Sequence, residues 1–397
     1  MNRTTVKVET FGLAMGLVFS ALVSAPRVVA QASPVRVGGI GDGMSYGMAI
    51  KGHYGYVCAE NLGLCIHDIA DPTNVVSLSS TNDGGTAFAV AVAGDYAYLA
   101  NYSDGLRVYD ISNPFYPSNV GHTNDGGTAQ GVAVSGNYVY LANGGNGLCI
   151  YDASDPARPR KVAQTTDGSW AVGVAVCGRW AYLANHADGL RIYDVADPTH
   201  PLSAGHISDG GTAFRVAVVG NYAYLANYND GLRIYDVAVP PNPVSVGHGV
   251  PRPVVDVAVA GNYAYLAIRG GGLSVCDVTD PSNPVEVAYA FNMEDLSGAH
   301  GVAVSGAYAY LATVPMGVFV YSLGVPDSPR LGVGLTGSTS VELSWSAPTA
   351  AFLVQQSSGL GATGWETLTN VPQCSGGRNR VRVPSPGTPR FYRLVSE

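Results

Sequence analysis

Charge is scarce in this chain of 397 residues: Lys, Arg, Asp and Glu together make 13% of it, with a formal net charge of −8. So few Lys and Arg exclude a phosphate-tracking surface, because neutralising nucleic acid takes clustered basic side chains. Cysteine is sparse too. The 6 cysteines form no C-x-x-C pair, which excludes a zinc ribbon, a haem attachment site and a dense disulfide framework. No H-E-x-x-H is present, so a zincin centre is excluded as well. Long hydrophobic runs are missing: Phe11–Ala25 stops at about 15 residues, short of the roughly 20 that span a bilayer. No amphipathic helical period of useful length follows residue 30.

What the chain has in quantity is 51 Gly, 24 Pro and 24 Tyr. Tyr and β-branched residues suit a pleated surface, while Gly and Pro suit turns, so an all-β fold of many short strands is expected. Residues 1–30 read as a secretory leader, an address rather than structure. Arg3 and Lys7 precede the apolar run, and Val28-Val29-Ala30 ends in the style of a signal-peptidase site. Export to periplasm, outer surface or medium is the expected localisation. With the leader removed, residues 31–325 are strongly acidic and residues 326–397 slightly basic.

The body repeats itself. The second aromatic of each Tyr-x-Tyr pair falls at Tyr56, Tyr98, Tyr140, Tyr182, Tyr224, Tyr265 and Tyr310, in steps of 42, 42, 42, 42, 41 and 45. A complete unit carries four runs with period-two patterning: in the second, Ala87–Gly94, Tyr96–Asn101, Gly105–Ile111 and Pro117–Thr123. One such sheet cannot bury its faces alone, and seven copies at this period predict a seven-bladed propeller of four-stranded antiparallel blades over 31–325. Asp104-Gly105, Asp188-Gly189 and Asp230-Gly231 predict type I′ hairpin turns with positive φ at both central residues. Pro72, Pro114, Pro156, Pro198, Pro240, Pro281 and Pro326 fall between third and fourth strands, where no ladder donor is needed. The seventh unit lacks a fourth strand, whereas Ser33–Gly43 resembles one. This N-terminal strand is expected to close the ring.

The stretch Val132–Pro159, "VAVSGNYVYLANGGNGLCIYDASDPARP", resembles the LVIVD repeat of secreted bacterial and archaeal proteins, and the match recurs in all seven units. A more distant likeness to WD repeats lies in Gly121-His122, Gly205-His206 and Gly247-His248, and in Tyr109-Asp110, Tyr193-Asp194 and Tyr235-Asp236. The resemblance implies a β-propeller and little about activity. Residues 326–397 read as a small β-sandwich similar to a fibronectin type III module, with Trp345 as its buried ring and Arg378, Arg380 and Arg382 on one strand face.

Residues with chemical potential are dispersed. Gly43-Met44-Ser45-Tyr46-Gly47 fits G-x-S-x-G, yet a nucleophile elbow needs a strand-to-helix turn and no helix follows. His122, His206 and His248 share one blade position and are expected to bond neighbouring loops. Arg107, Arg191 and Arg233 share another, where they stack on aromatics or pair with Asp. Cys58 and Cys65 lie on paired strands, and a two-residue turn at Leu62-Gly63 would make them diagonal neighbours on one face, a poor geometry for a disulfide. The cysteines are expected to be buried thiols. Asp83, Asp125, Asp167 and Asp209 recur in the links between blades, at the same end as Asp42, Asp104, Asp188 and Asp230. Together they suggest an acidic binding rim. Calcium is the cation such oxygens would hold, although Asp before Gly is also what turns demand, and no cofactor is expected.

These readings favour a secreted, non-catalytic binding or scaffold surface for a protein or glycan partner at the cell envelope. A hydrolase- or lactonase-like propeller enzyme is the first alternative. It would use residues that break the repeat near the axis, with Asp256, His300 and Arg215 the candidates and Met48 beside them. A surface-layer component is the second.

Overall fold

The computed structural model describes residues 34–323, apart from 61, 83, 125, 167–168, 209 and 292–297, together with eight strands outside that range. Seven four-stranded antiparallel sheets make up 34–323, and no helix occurs among the described residues. In blade 2 the strands are Ala89–Ala93, Tyr96–Ala100, Leu106–Asp110 and Ser118–Thr123, each paired to the next. The first strands of successive blades neighbour one another around the axis, and that of blade 7, Ala299–Ser305, meets that of blade 1, Ser45–Lys51. The ring is closed at seven blades.

Closure uses the leading strand. Val35–Ile40 pairs with Gly317–Ser322, the third strand of blade 7, in the register Val35↔Ser322 to Ile40↔Val318. The ring therefore presents no unpaired third strand.

Packing between blades explains the repeated tyrosines. Tyr56 of blade 1 packs with Ala97, Leu99 and Tyr109 of blade 2. Tyr310 of blade 7 packs in the same way with Val57, Ala59 and Cys65 of blade 1. Each buried aromatic contributes roughly 1.5–3 kcal/mol relative to exposure, and neighbouring blades supply the burial. The Gly of each Gly-His pair has a related cause. A Cβ on Gly121, Gly205 or Gly247 would lie 2.2, 2.2 or 2.0 Å from the carbonyl oxygen of Pro156, Pro240 or Pro281 in the next blade.

The turns differ from expectation in one class. Between first and second strands the loops have two residues, as in Ala93↔Tyr96, with Gly94 at φ +53°. Between second and third strands the loop is five residues, Asn101 to Gly105, closed by the Asn101 N–H donating to the Gly105 carbonyl at 2.8 Å. The type I′ assignment for Asp104-Gly105 is therefore corrected: positive φ falls on Gly105 and on Tyr102, not on Asp104. The wider loop lets Tyr102 exchange two backbone hydrogen bonds with Ala129 in the link to the next blade.

Register also corrects the cysteine geometry. Blade 1 has a three-residue loop, so Cys58 opposes Leu64 and Cys65 opposes Val57. The two thiols thus face different blade interfaces, Cys58 toward blade 2 and Cys65 toward blade 7. A one-residue change in loop length flips every side chain to the other face. Cys58, Cys65, Cys149 and Cys276 are buried free thiols and Cys177 is half-buried. Burial raises Cys65 and Cys276 to about 12.

Outside the ring the described strands form two further four-stranded sheets. One orders Gly332–Leu335, Ser340–Ser346, Arg378–Pro384 and Gln373–Ser375. The other orders Thr5–Val8, Arg390–Ser396, Phe352–Ser357 and Glu366–Thr367. A segment assigned to the leader thus pairs with the last strand, and processing near residue 30 would remove it. Arg378–Pro384 is a strand, and Glu342 stands directly opposite Arg382. Pro326 and the side chain of Trp345 lie outside the described residues.

Candidate binding site at the channel mouth

The links between blades and the loops between second and third strands meet at one end of the propeller. Asn101 Nδ2 donates to the Gly84 carbonyl at 2.7 Å and to Asp104 Oδ2 at 2.9 Å. Arg107 Nε donates to the same carboxylate oxygen. His122 Nε2 lies 2.8 Å from the Asp104 carbonyl. The same four-residue network recurs as Asn185, Asp188, Arg191 and His206, and as Asn227, Asp230, Arg233 and His248. Partial burial raises the Asp104, Asp188 and Asp230 carboxyls, but the hydrogen bonds from Arg and Asn outweigh it and leave all three below the usual range. These carboxylates fasten each loop to its own blade.

Asp42 is placed differently. Its side chain is 8% exposed and its Oδ2 lies 2.6 Å from Nε2 of buried His67 on blade 1, with the ring N–H not aligned for a hydrogen bond. It faces inward at the seam rather than forming a rim with Asp104, Asp188 and Asp230. Asp83, Asp125, Asp167 and Asp209 lie outside the described residues. Among the described residues no three metal-ligating side chains converge. Ser45 begins the first strand of blade 1 with its hydroxyl fully buried, and no helix follows it.

Where the inner strands begin, the repeat is broken. Gly47, Ala89, Gly131, Gly173, Arg215, Asp256 and Gly301 occupy one register position. Glycine is required at several of them, since a Cβ on Gly131 or Gly173 would lie 2.6 Å from the carbonyl oxygen of Val172 or Phe214. Arg215 runs along the groove that these glycines leave. Its Nη1 donates to the carbonyls of Val172 at 2.7 Å and Phe214 at 3.2 Å, and its Nη2 to that of Gln130 at 2.9 Å. One guanidinium thereby ties blades 3, 4 and 5 together.

Asp256 turns toward blade 7, accepting from the Val302 N–H at 2.9 Å and from its neighbour Val257 at 2.8 Å. Burial pushes its carboxyl up to about 6, against the opposing pull of Arg215 and of both N–H donors. His300 sits edge-on to Tyr46, ring centroids 5.4 Å apart. Burial, with the charges of Arg269 and Arg215, holds its imidazole down at about 4. The three candidates thus share the channel entrance, but no hydrogen bond or ion pair joins Asp256 to His300 or to Arg215 among the described residues. Asp256 spends its oxygens on backbone N–H groups and Arg215 its Nη donors on carbonyls, which is the work of positioning.

Sequence reasoning missed the aromatic residues one place earlier. Tyr46, Phe88 and Phe214 stand at the entrance, joined by residues from the adjoining loops. Tyr46 stacks on Phe88 at 4.7 Å, Phe88 contacts Tyr102 at 5.2 Å, and Phe214 contacts Tyr228 at 5.3 Å and His186 at 6.2 Å. Tyr102, His186 and Tyr228 hold φ of +46°, +50° and +47°, a left-handed conformation that costs a side-chain-bearing residue about 1–2 kcal/mol. Over blades 3 to 5 the mouth opens into a cleft of about 440 Å³ lined by Gln130, Trp170, Val172, His186 and Phe214. Trp170 is 41% exposed there. The signal was available as departure from the repeat, because these positions vary between units while the strands around them do not.

The LVIVD repeat matches the chain at residues 42–83, 84–125, 126–166, 168–209, 210–248, 251–289 and 298–317. No curated protein sequence matches it. Among solved structures, the computationally designed Ika8 protein is similar at 10% identity and TM-score 0.54, covering 74% of this chain and 99% of that one. U3-55K is similar at 9% identity and TM-score 0.57, covering 73% and 98%. The WD40 repeats of RRP9 are similar at 9% identity and TM-score 0.56, covering 73% and 97%. At these identities the likeness shows the fold alone.

Proposed function

The chain belongs to the LVIVD repeat family, and from that premise we propose that it is an exported binding protein whose contact face is the channel mouth. Its partner is a protein or glycan of the cell envelope, and the C-terminal sheets serve as an adaptor that presents the ring. The observation that carries this reading is the open cleft over blades 3 to 5, with its exposed indole and the phenyl ring of Phe214. Its volume falls within the range of about 300–1,000 Å³ common to ligand sites. Solvent-facing Trp and Tyr are the side chains that most often anchor recognition. The carboxylates of Asp104, Asp188 and Asp230 support it less, since Arg and Asn already engage them.

Export rests on Arg3, Lys7, the apolar run and Val28–Ala30. N-terminal sequencing of protein from the native host should find a start near residue 31, and recovery of intact Met1 would remove this part of the proposal. Binding is tested by capture from native cell envelope on the immobilised full-length protein. Parent protein should retain an envelope component that the Trp170→Thr, Phe214→Ala double variant loses. Equal capture by both would show that the mouth is not the contact face.

A further inference from the structure

Trp170 replaces a threonine. The links into blades 2, 3 and 5 carry Thr86, Thr128 and Thr212 at this place, and here an indole stands in solvent at 41% exposure. A second departure accompanies it in the neighbouring blade. The loop position held by Tyr102, His186 and Tyr228 is Gly144 in blade 3. A Cβ on Gly144 would lie 3.0 Å from the Trp170 ring and 2.0 Å from Thr128 Oγ1, and one on Gly145 would lie 3.7 Å from the ring. The indole can lie where it does because Gly144 beneath it has no side chain, whereas a Cβ on Gly145 would make only ordinary contact. The pair of changes leaves an indole 41% exposed at the mouth. Two concerted departures from the repeat at one place point to a ligand site.

The lining defines the ligand's chemistry. Trp170 and Phe214 offer ring faces, while Gln130 and His186 offer planar groups that both donate and accept. Neither the Gln130 amide nor the His186 ring makes a hydrogen bond among the described residues. No acidic or basic chain other than His186 lines the cleft. A ligand that suits these walls has an apolar face for the indole, hydroxyls at its edge and no need of charge. We infer that this cleft is a carbohydrate subsite that takes a neutral pyranose ring flat against Trp170, with its hydroxyls on Gln130 and His186. Arg215 acts from below, holding the carbonyls of Gln130, Val172 and Phe214, three of the five lining residues. The inference rests on the reading of the mouth as the binding face, and it names what is bound there.

The test is calorimetric titration of the full-length protein with neutral tetrasaccharides of α-1,4-glucose, β-1,4-glucose and β-1,4-N-acetylglucosamine. At least one should bind saturably to the parent. Trp170→Thr, which restores the residue of the links into blades 2, 3 and 5, should weaken it at least tenfold. Gly144→Tyr, which restores the residue of blades 2 and 5 and collides with the indole, should do the same. Thermal unfolding of each variant checks that the ring survives. Saccharide binding that is absent from the parent, or unchanged in both variants, overturns the inference. If envelope capture depends on Trp170 yet disappears on protease treatment of the envelope, and no saccharide binds, the carbohydrate assignment falls while the mouth remains the contact face. If a saccharide binds through Trp170 but envelope capture fails, the subsite stands and the envelope partner falls.

Discussion

Single residues at the channel entrance do work that their blade-mates cannot. Arg215 satisfies three carbonyls from blades 3, 4 and 5. An ammonium cannot reproduce that fork, and each buried acceptor left unpaired costs about 1–3 kcal/mol. Arg215→Lys should therefore lower unfolding free energy by roughly 1–3 kcal/mol in denaturant titration, and also weaken ligand binding at the cleft above it. Asp256 and His300 predict a pH signature. A carboxyl held at about 6 binds its proton more tightly folded than unfolded, so it lowers stability as pH rises from about 4 to 6. An imidazole held at about 4 does the reverse up to about 6.5, because the unfolded chain then binds the extra proton. The two oppose each other in the parent. Asp256→Asn keeps an acceptor for the Val302 N–H and removes the first effect. The melting temperature of the variant, relative to the parent, should climb as pH rises from 4 to 6, and a flat difference would mean that Asp256 titrates normally. That Arg215 and Asp256 were special was legible as a break in a glycine-rich position, and His300 as a break one place earlier. What they contact was not, because Arg215 and Asp256 reach backbone groups of other blades and His300 meets the ring of Tyr46.

At the scale of the element, strands were easier to read than loops. Period-two runs such as Tyr96–Asn101 located second strands to within a residue, because half-buried sheets force that alternation. The loop after them was misjudged. Asp104-Gly105 looks like a two-residue turn, but Asn101 and the bridge from Tyr102 to Ala129 favour a five-residue loop joined to the next link. The same omission hid the mouth, since the left-handed residue of this loop aims its side chain over the channel entrance. His186 sits at φ +50°, where blade 3 uses Gly144 at +59°. His186→Gly relieves a left-handed strain of about 1–2 kcal/mol and adds about 0.5–1 kcal/mol of chain entropy to the unfolded state. The variant should be as stable as the parent or slightly more so in thermal unfolding, while its affinity for the cleft ligand falls. A clear loss of stability would show that the ring contact with Phe214 outweighs the strain.

At the scale of the whole molecule the sequence announced both the number of blades and the manner of closure. A unit too small to bury its own faces must repeat until its ends meet, and the missing fourth strand of blade 7 pointed to Ser33–Gly43. The seam repeats the contacts of the other joints. A Cβ on Gly38 would lie 2.4 Å from the Pro72 carbonyl oxygen, as Gly121 meets Pro156, and Arg36 lies over the ring of Phe319 at 3.8 Å. The seam adds one contact of its own, the buried approach of Asp42 to His67. Closure therefore depends on a strand remote in sequence from the sheet it completes. Removing residues 34–40 should leave Gly317–Ser322 as an exposed edge, ready to pair with another chain. Such a variant should associate in light scattering and melt well below the parent. A peptide spanning residues 33–43, added in excess, should restore both the parent's mass and its melting temperature by occupying the vacated edge. Full stability in the truncated protein without peptide would mean that the inner-strand ring holds without its clasp.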